Sequence, residues 1–226
     1  MSITIVHPRI VHNRFAGDGG IVVHHAESAW EADAYFYRAL QTPVYYRAAA
    51  TIDSYRRRVA QIAAFAPAGE GSGAPLGLPP DSTVNDVMDA LRELLSGGIG
   101  EIDDPCRVHF FDHIHYHGAS FGLGGLRGPA IVADSDLSRR PGPISEDGWA
   151  EAISSVEFGD LAGVTLLFEQ ADFRGERLEL WCQVDNLTRV PRHHRTGNWN
   201  DRAGSVVCAT LNVPRSLVVA QCCAVR

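Results

Sequence analysis

The sequence has 226 residues, of which 45% are hydrophobic and 21% are charged. These proportions are ordinary for a globular protein and exclude a disordered or fibrous chain. The formal net charge of −7 argues against nucleic acid as a partner, because binding nucleic acid requires a basic surface that displaces phosphate counterions.

The sequence shows no secretory signal and no membrane span. No apolar run approaches the roughly 20 residues that a spanning helix needs, and His7, Pro8 and Arg9 interrupt the first apolar run early. We therefore expect a cytoplasmic location and no membrane partner. The 5 cysteines lack CxxC spacing, which predicts reduced thiols, with Cys222-Cys223 the one pair to test for redox chemistry.

Residues 1–105 are predicted to form a helical region whose function the sequence does not indicate. Ser28 is expected to cap a first helix, and Pro43 to begin a second. The segment 66–81 is rich in Pro and Gly and predicts a loop. After it, Ser82 or Thr83 caps a third helix, with Asp86 placed to complete a capping box with Thr83.

From Cys106 onward, short β-rich runs alternate with turn residues. This pattern predicts a β sandwich over residues 106–214, so the fold class is an α+β chain of two parts. The runs are Arg107–Phe111, Gly163–Phe168, Arg177–Trp181 and Ser205–Ala209. In the tail, residues 215–226, Ser216–Ala220 is expected to form one further strand that pairs with Ile3–Val6.

The sandwich region contains an internal repeat. One block of three residues recurs with a displacement of 57 positions: Phe111, Tyr116 and Gly118 match Phe168, Phe173 and Gly175. A second block recurs with a displacement of 50: Trp149, Ser155 and Val156 match Trp199, Ser205 and Val206. Two blocks in the same order predict two copies of one unit, here 106–160 and 163–212. In each copy we expect a folded hairpin, a Gly with positive φ, and a Ser hydroxyl bonded to the hairpin backbone.

At these residues the chain resembles the βγ-crystallin family. That family's Greek-key motif carries Y/F-x-x-x-x-Y/F-x-G in its first hairpin and N/D-N/D-x-x-S/T-S in a later loop. Here the hairpins are residues 111–118 and 168–175, and the loops are residues 150–155 and 200–205. The resemblance covers about half of the chain and implies a double Greek-key sandwich.

The resemblance further implies one calcium site. In microbial members of the family, one motif supplies its N/D pair and the other supplies the Ser/Thr at the fifth loop position. Carried over to this sequence, the ligands are Asn200, Asp201 and Ser154, with Glu169 as the hairpin residue. The opposite site would need Ala150, Glu151 and Gly204, which lack both the N/D pair and the hydroxyl, so a second calcium site is expected to be degenerate.

These expectations define the function as calcium binding with a structural or stress-protective, non-enzymatic role. One alternative is a crystallin-like module attached to an amino-terminal region that binds a partner, carbohydrate or cell wall, or acts as a toxin. Another is a transition-metal protein that uses its histidine-rich segment. That segment carries His109, His113, His115 and His117. The pairs His24-His25 and His193-His194 are expected at the surface.

Overall fold

The computed structural model describes residues 2–65, 83–96, 104–126, 128–143, 148–193 and 196–223. The Pro/Gly-rich loop predicted over 66–81 and the side chain of Cys223 lie outside the described part. Cys106, Cys182, Cys208 and Cys222 are free thiols. None of the described helices combines the length and apolar character that crossing a bilayer requires.

Two Greek-key motifs form the carboxyl-terminal half, and they exchange strands. The first motif contains β5 (Val108–Phe111), β6 (Ser120–Leu123), β7 (Ile131–Asp134) and β8 (Ser155–Phe158). The second contains β9 (Ala162–Gln170), β10 (Arg174–Leu180) and β11 (Ser205–Thr210). β5 lies between β6 and β8, whereas β7 leaves its own motif to pair with β11. In return, Val184 of the second motif bridges Val156 on β8.

The predicted fold class is confirmed, and the four predicted strands correspond to β5, β9, β10 and β11. Their inward residues build a core between the two sheets, in which Phe110, Trp149 and Trp199 are at most 2% exposed. Burying such large aromatic side chains contributes most of the hydrophobic stabilisation of a sandwich. The recurring tryptophans therefore belong to the core of the double Greek key.

The amino-terminal segment extends the second sheet. β1 (Ile3–Pro8) runs parallel to β10, and β4 (Ile21–Ala26) pairs antiparallel with β1. The result is a six-stranded sheet in the order β4-β1-β10-β9-β11-β7. In the sequence, a short hairpin of β2 (Ile10–Val11) and β3 (Arg14–Phe15) connects β1 to β4.

The expected pairing of the tail with the amino-terminal strand is wrong. Residues 215–223 form a helix, α4 (Arg215–Cys223), even though β-branched residues favour strands there. The amides of Leu217 and Val218 are bonded to the carbonyl of Pro214, which begins the helical turn. α4 packs Val218 and Cys222 into the same cluster as Ile3, so tertiary packing overrides the local preference.

The helical region confirms two predicted caps and corrects one boundary. Ser28 caps α1 (Ala29–Tyr35) by accepting from the Glu31 amide, and Thr83 forms the expected capping box with Asp86 before α3 (Val84–Ser96). Pro43 does not begin a separate helix. A π segment (Phe36–Leu40) joins α1 directly to α2 (Gln41–Phe65).

The π segment and the helices pack on the outer face of the six-stranded sheet. The ring of Phe36 stacks on Trp181, with ring centroids 5.2 Å apart. The guanidinium of Arg47 donates to the carbonyls of Trp181 and Ala162, at 2.9 Å each. Arg215 binds Glu179, which is fully buried on β10, and also pairs with Asp33 on α1. The helical region is therefore anchored to the crystallin-like half by both apolar and ionic contacts.

Candidate metal centre

Each motif folds its first hairpin in the expected way. Gly118 has φ of 85° and Gly175 has φ of 83°, the left-handed region in which glycine has no Cβ penalty. The Ser155 hydroxyl donates to the carbonyl of His113 at 2.7 Å, and Ser205 makes the equivalent bond to Gln170 at 2.6 Å. The repeated serines thus hold the hairpins closed, as predicted.

The two later loops lie side by side and are related by a pseudo-twofold axis. The Glu151 amide donates to the carbonyl of Ala203, and the Asp201 amide donates to that of Ile153, both at 3.0 Å. Glu151 has φ of 56° and Asp201 has φ of 55°, so both loops bend at the same position. This exchange of backbone bonds brings the N/D pair of one motif next to the serine of the other.

Three of the four predicted metal ligands are brought together. The Ser154 hydroxyl donates to Oδ1 of Asp201 at 3.1 Å. The side-chain amide of Asn200 donates to the other carboxylate oxygen of Asp201. The Oδ1 atom of Asn200 is buried and has no hydrogen-bond partner. An unpartnered buried carbonyl costs about 1–3 kcal/mol, which a cation at this place would offset.

Glu169 does not belong to this cluster, which corrects the predicted ligand set. Its carboxylate accepts from Arg192 at 2.6 Å on the opposite side of the pseudo-twofold axis. The residue in the equivalent place of the first hairpin is Asp112, which follows Phe111. The carbonyl of Phe111 accepts from the Ser154 amide at 2.8 Å, so the first hairpin adjoins the loop of Ser154. The antiparallel pairing of β5 with β8 dictates this neighbour.

Negative charge accumulates around Asp201. Burial raises the pKa of its carboxyl above the usual value, and the charges of Asp112 and Glu151 raise it further. The Ser154 hydrogen bond and the charge of Arg202 act in the opposite direction. Within the described part of the chain, no arginine forms an ion pair with Asp112 or Asp201. The site therefore has oxygen donors and excess negative charge but no fixed cation.

The opposite half-site has a different composition. Arg192 is largely buried and bridges the carboxylates of Glu169 and Glu176, at 2.6 and 2.8 Å. At the position matching Ser154, Gly204 lies so close to the second hairpin that a Cβ would be 2.8 Å from the carbonyl carbon of Gln170. A serine hydroxyl therefore cannot be accommodated without displacement. Close packing at Gly204 therefore adds to the missing N/D pair in the loop that the sequence predicts to be degenerate.

The histidines of the first hairpin do not converge. His115 pairs with Asp185 at 3.1 Å, and Nδ1 of His113 lies 2.9 Å from Asp112. Among the described residues, no group of three or more His, Cys, Asp or Glu side chains could hold a metal ion. His24 and His25 are partly exposed, and the ring of His24 stacks on Tyr35. His194 lies outside the described residues.

A cavity of about 600 Å³ lies between α2 and the crystallin-like half. Three of its polar lining groups are engaged within the protein: the Tyr55 hydroxyl donates to Asp160 at 3.1 Å, and Arg47 binds two backbone carbonyls. Burial, together with Asp160, raises the pKa of Tyr55 to about 12, so the phenol stays protonated. A nucleophile with an adjacent general base is not found among these lining groups.

The sequence matches no family model and no curated protein. Several solved structures are similar to the carboxyl-terminal half. A βγ-crystallin domain from Flavobacterium johnsoniae is 20% identical with a TM-score of 0.34, over 47% of this chain and 98% of that one. A βγ-crystallin from Ciona intestinalis is 20% identical with a TM-score of 0.32, over 44% and 95%. A clostrillin double mutant in complex with nickel is 17% identical with a TM-score of 0.31, over 46% and 97%.

The strand exchange, the two folded hairpins and the paired loops define residues 106–214 as a βγ-crystallin-like double Greek key. The family resemblance expected from the sequence is confirmed for this half of the chain. The helical region and the strands β1 and β4 are additions to that domain.

Proposed function

We propose that this protein binds one calcium ion between its two loops. The oxygen donors are the side chains of Asp201, Asn200, Ser154 and Asp112. One observation carries this proposal: the buried, unpartnered Oδ1 of Asn200 lies beside the Asp201 carboxylate, which forms no ion pair with the residues that the structure describes.

The donor set matches the chemistry of calcium better than that of other metals. Calcium takes 6–8 oxygen ligands in flexible geometry, including carboxylates, amide carbonyls and backbone carbonyls. Transition metals prefer imidazole or thiolate ligands, which do not cluster in the described part of the chain. Backbone carbonyls of the loops and water would complete the coordination. With two carboxylates at most, the affinity is expected to be micromolar or weaker.

The proposed role of the ion is structural and non-enzymatic. A ligand that binds only the folded state stabilises it by RT ln(1 + [L]/Kd), or about 2.7 kcal/mol at a hundredfold excess over Kd. For a chain of this length that corresponds to a rise of about 5–10 °C in melting temperature. Protection of the sandwich against stress follows from such a gain.

Calorimetric titration of calcium into the full chain tests the proposal, with the pseudo-twofold axis supplying a matched pair of variants. Asp201→Asn removes a carboxylate at a left-handed position that asparagine tolerates. Glu151→Gln makes the same change at the equivalent position of the degenerate loop. We expect one calcium per chain for the parent and for Glu151→Gln, and a loss of affinity of at least about tenfold for Asp201→Asn.

A second pair of variants tests whether Asp112, in the first hairpin, contributes an oxygen ligand. Asp112→Asn is expected to weaken calcium binding, whereas Glu169→Gln leaves the affinity unchanged because Glu169 is held by Arg192. Equal affinities for the parent and Asp201→Asn would contradict the proposed site. A saturating calcium concentration that leaves the melting temperature unchanged would contradict the stabilising role.

A further inference from the structure

The contact between α1 and the amino-terminal strands contains two histidines with one tyrosine between them. His7 on β1 is 2% exposed, and its Nε2 lies 2.7 Å from the hydroxyl oxygen of Tyr35 on α1. The other face of the contact is formed by His24 on β4, whose ring is parallel to that of Tyr35 with centroids 3.6 Å apart. These three side chains join the helix to the edge of the six-stranded sheet.

The hydrogen bonds determine the protonation state of His7. Its Nδ1 lies 2.7 Å from the carbonyl oxygen of Pro8. A carbonyl can only accept, so Nδ1 carries the proton. In the neutral ring Nε2 is then a bare acceptor, and the Tyr35 hydroxyl donates to it. The neutral imidazole therefore satisfies both hydrogen bonds, and protonation at Nε2 would require the Tyr35 hydroxyl to turn and accept from the ring instead of donating to it.

The charged groups around this contact give little compensation for a positive charge. The positive charge of Arg38 on the π segment disfavours protonation of His24. A positive charge on His7 has the same effect on His24. Glu31 on α1 is the acidic group that opposes them. Asp33 of the same helix is engaged by Arg215. From β3, the aromatic Phe15 faces His7 and supplies no charge.

We propose that His7, Tyr35 and His24 form an acid-sensitive latch. At neutral pH the latch holds residues 29–40 on the sheet, and protonation of the two histidines releases this segment while the double Greek key stays folded. These three side chains lie outside the hydrophobic cluster between the two sheets of the double Greek key. Tyr35 packs in a second cluster on the outer face of the sheet, and release of the segment uncovers that face.

The direction of the pH dependence follows from the docked state. Burial lowers the pKa of His7, and burial with the charges of His7 and Arg38 lowers that of His24, below the ordinary 6.5. Histidines in the released segment regain the ordinary value and bind protons first. Docking is therefore strongest above pH 6.5 and weakens as the pH falls through the lowered values. The docking equilibrium changes by up to about tenfold per pH unit for each histidine.

Hydrogen exchange on the full chain tests the latch, at pH 7.5 and 5.5 with correction for the intrinsic exchange rate. We expect the amides of residues 29–40 to lose at least about tenfold in protection at the lower pH, relative to the amides of β9 and β11. In the double variant His7→Gln/His24→Gln, the same amides are expected to lose less than about twofold in protection. His12→Asn, a control at an exposed histidine in a turn, should respond like the parent.

Constant protection of residues 29–40 between the two pH values would overturn the latch, as would a double variant that keeps the parent's response. If the double variant does not fold, imidazole NMR of the parent decides. We expect a proton on Nδ1 of His7 at pH 7.5 and a titration midpoint below 6.5. A proton on Nε2, or a midpoint at or above 6.5, overturns the proposal.

Discussion

The two loop sites of the double Greek key have the same backbone conformation but differ in how their charges are balanced. Each loop bends at a left-handed residue and donates one amide to the other loop. On one side, Arg192 lies between Glu169 and Glu176 as a fixed cation. On the other side, Asp112 and Asp201 have no arginine partner among the described residues. The same scaffold therefore holds an internal ion pair in one half and an open oxygen cluster in the other.

This comparison explains why the two halves should respond differently to mutation. A carboxylate pair that a buried arginine neutralises depends on that arginine for stability. A carboxylate pair without a fixed cation depends on protons or cations from solution, so we expect its stability to change with pH and, if the proposed site is correct, with calcium.

The largest effect is expected from Arg192→Met. This change removes the guanidinium that binds the largely buried carboxylates of Glu169 and Glu176, and we expect the free energy of unfolding to fall by about 3–5 kcal/mol. Urea denaturation measures the loss. Glu169→Gln/Glu176→Gln in the same background should recover most of it. Arg174→Met, which breaks an exposed pair with Asp172, should cost at most about 1 kcal/mol; a similar loss in both arginine variants would refute the comparison.

A smaller loss is expected when the degenerate loop is given the serine of the other loop. Gly204→Ser places a Cβ within 2.9 Å of the Ala171 amide nitrogen as well as near Gln170, so we expect destabilisation by about 1–3 kcal/mol. Calorimetry should still give one calcium per chain. The matched change Ser154→Ala removes a hydroxyl, with a stability loss of about 1 kcal/mol and weaker calcium binding. A stable Gly204→Ser variant that binds two calcium ions would show that the missing serine, and not the packing around Gly204, prevents binding at the second site.

The smallest expected effect is a change in the pH dependence of stability and of calcium affinity. The pKa of Asp201 is raised, chiefly by burial, so the folded protein without calcium is favoured when this carboxyl is protonated. The stabilisation from the protonated carboxyl is present below pH 3.8, the ordinary pKa of aspartate. It is lost as the pH rises through the raised pKa of Asp201. Calcium needs the charged form, so its affinity should begin to fall at a higher pH than for an ordinary aspartate. Glu151→Gln removes one raising charge and should move the onset to lower pH; an onset unchanged by it would argue against coupling between the loops.

The sequence allowed the repeated unit to be predicted because its signals are local. A glycine with positive φ, a serine that closes a hairpin and a tryptophan in the core recur at fixed displacements. The helix caps at Ser28 and Thr83 were predictable for the same reason, since a cap depends on residues at most three positions away.

The features that the sequence did not reveal depend on distant contacts. The parallel pairing of β1 with β10 joins residues about 170 positions apart, and no local pattern encodes it. The sequence also did not reveal that the first hairpin, which carries Asp112, adjoins the loop of Ser154, because this neighbour follows from the pairing of β5 with β8. The helical form of α4 depends on burial against β1 residues such as Ile3.

The pairing of β1 with β10 also has a consequence for biosynthesis. Ile3 pairs with β4 about 20 positions later, but its parallel partner Arg177 follows about 170 positions later. Closing so long a loop is entropically costly and slow, so one edge of β1 has no partner until β10 has been made. During this interval β1 is an exposed apolar strand with a free edge, which favours pairing with other chains. The order of synthesis therefore leaves this edge of β1 open to intermolecular pairing until β10 covers it.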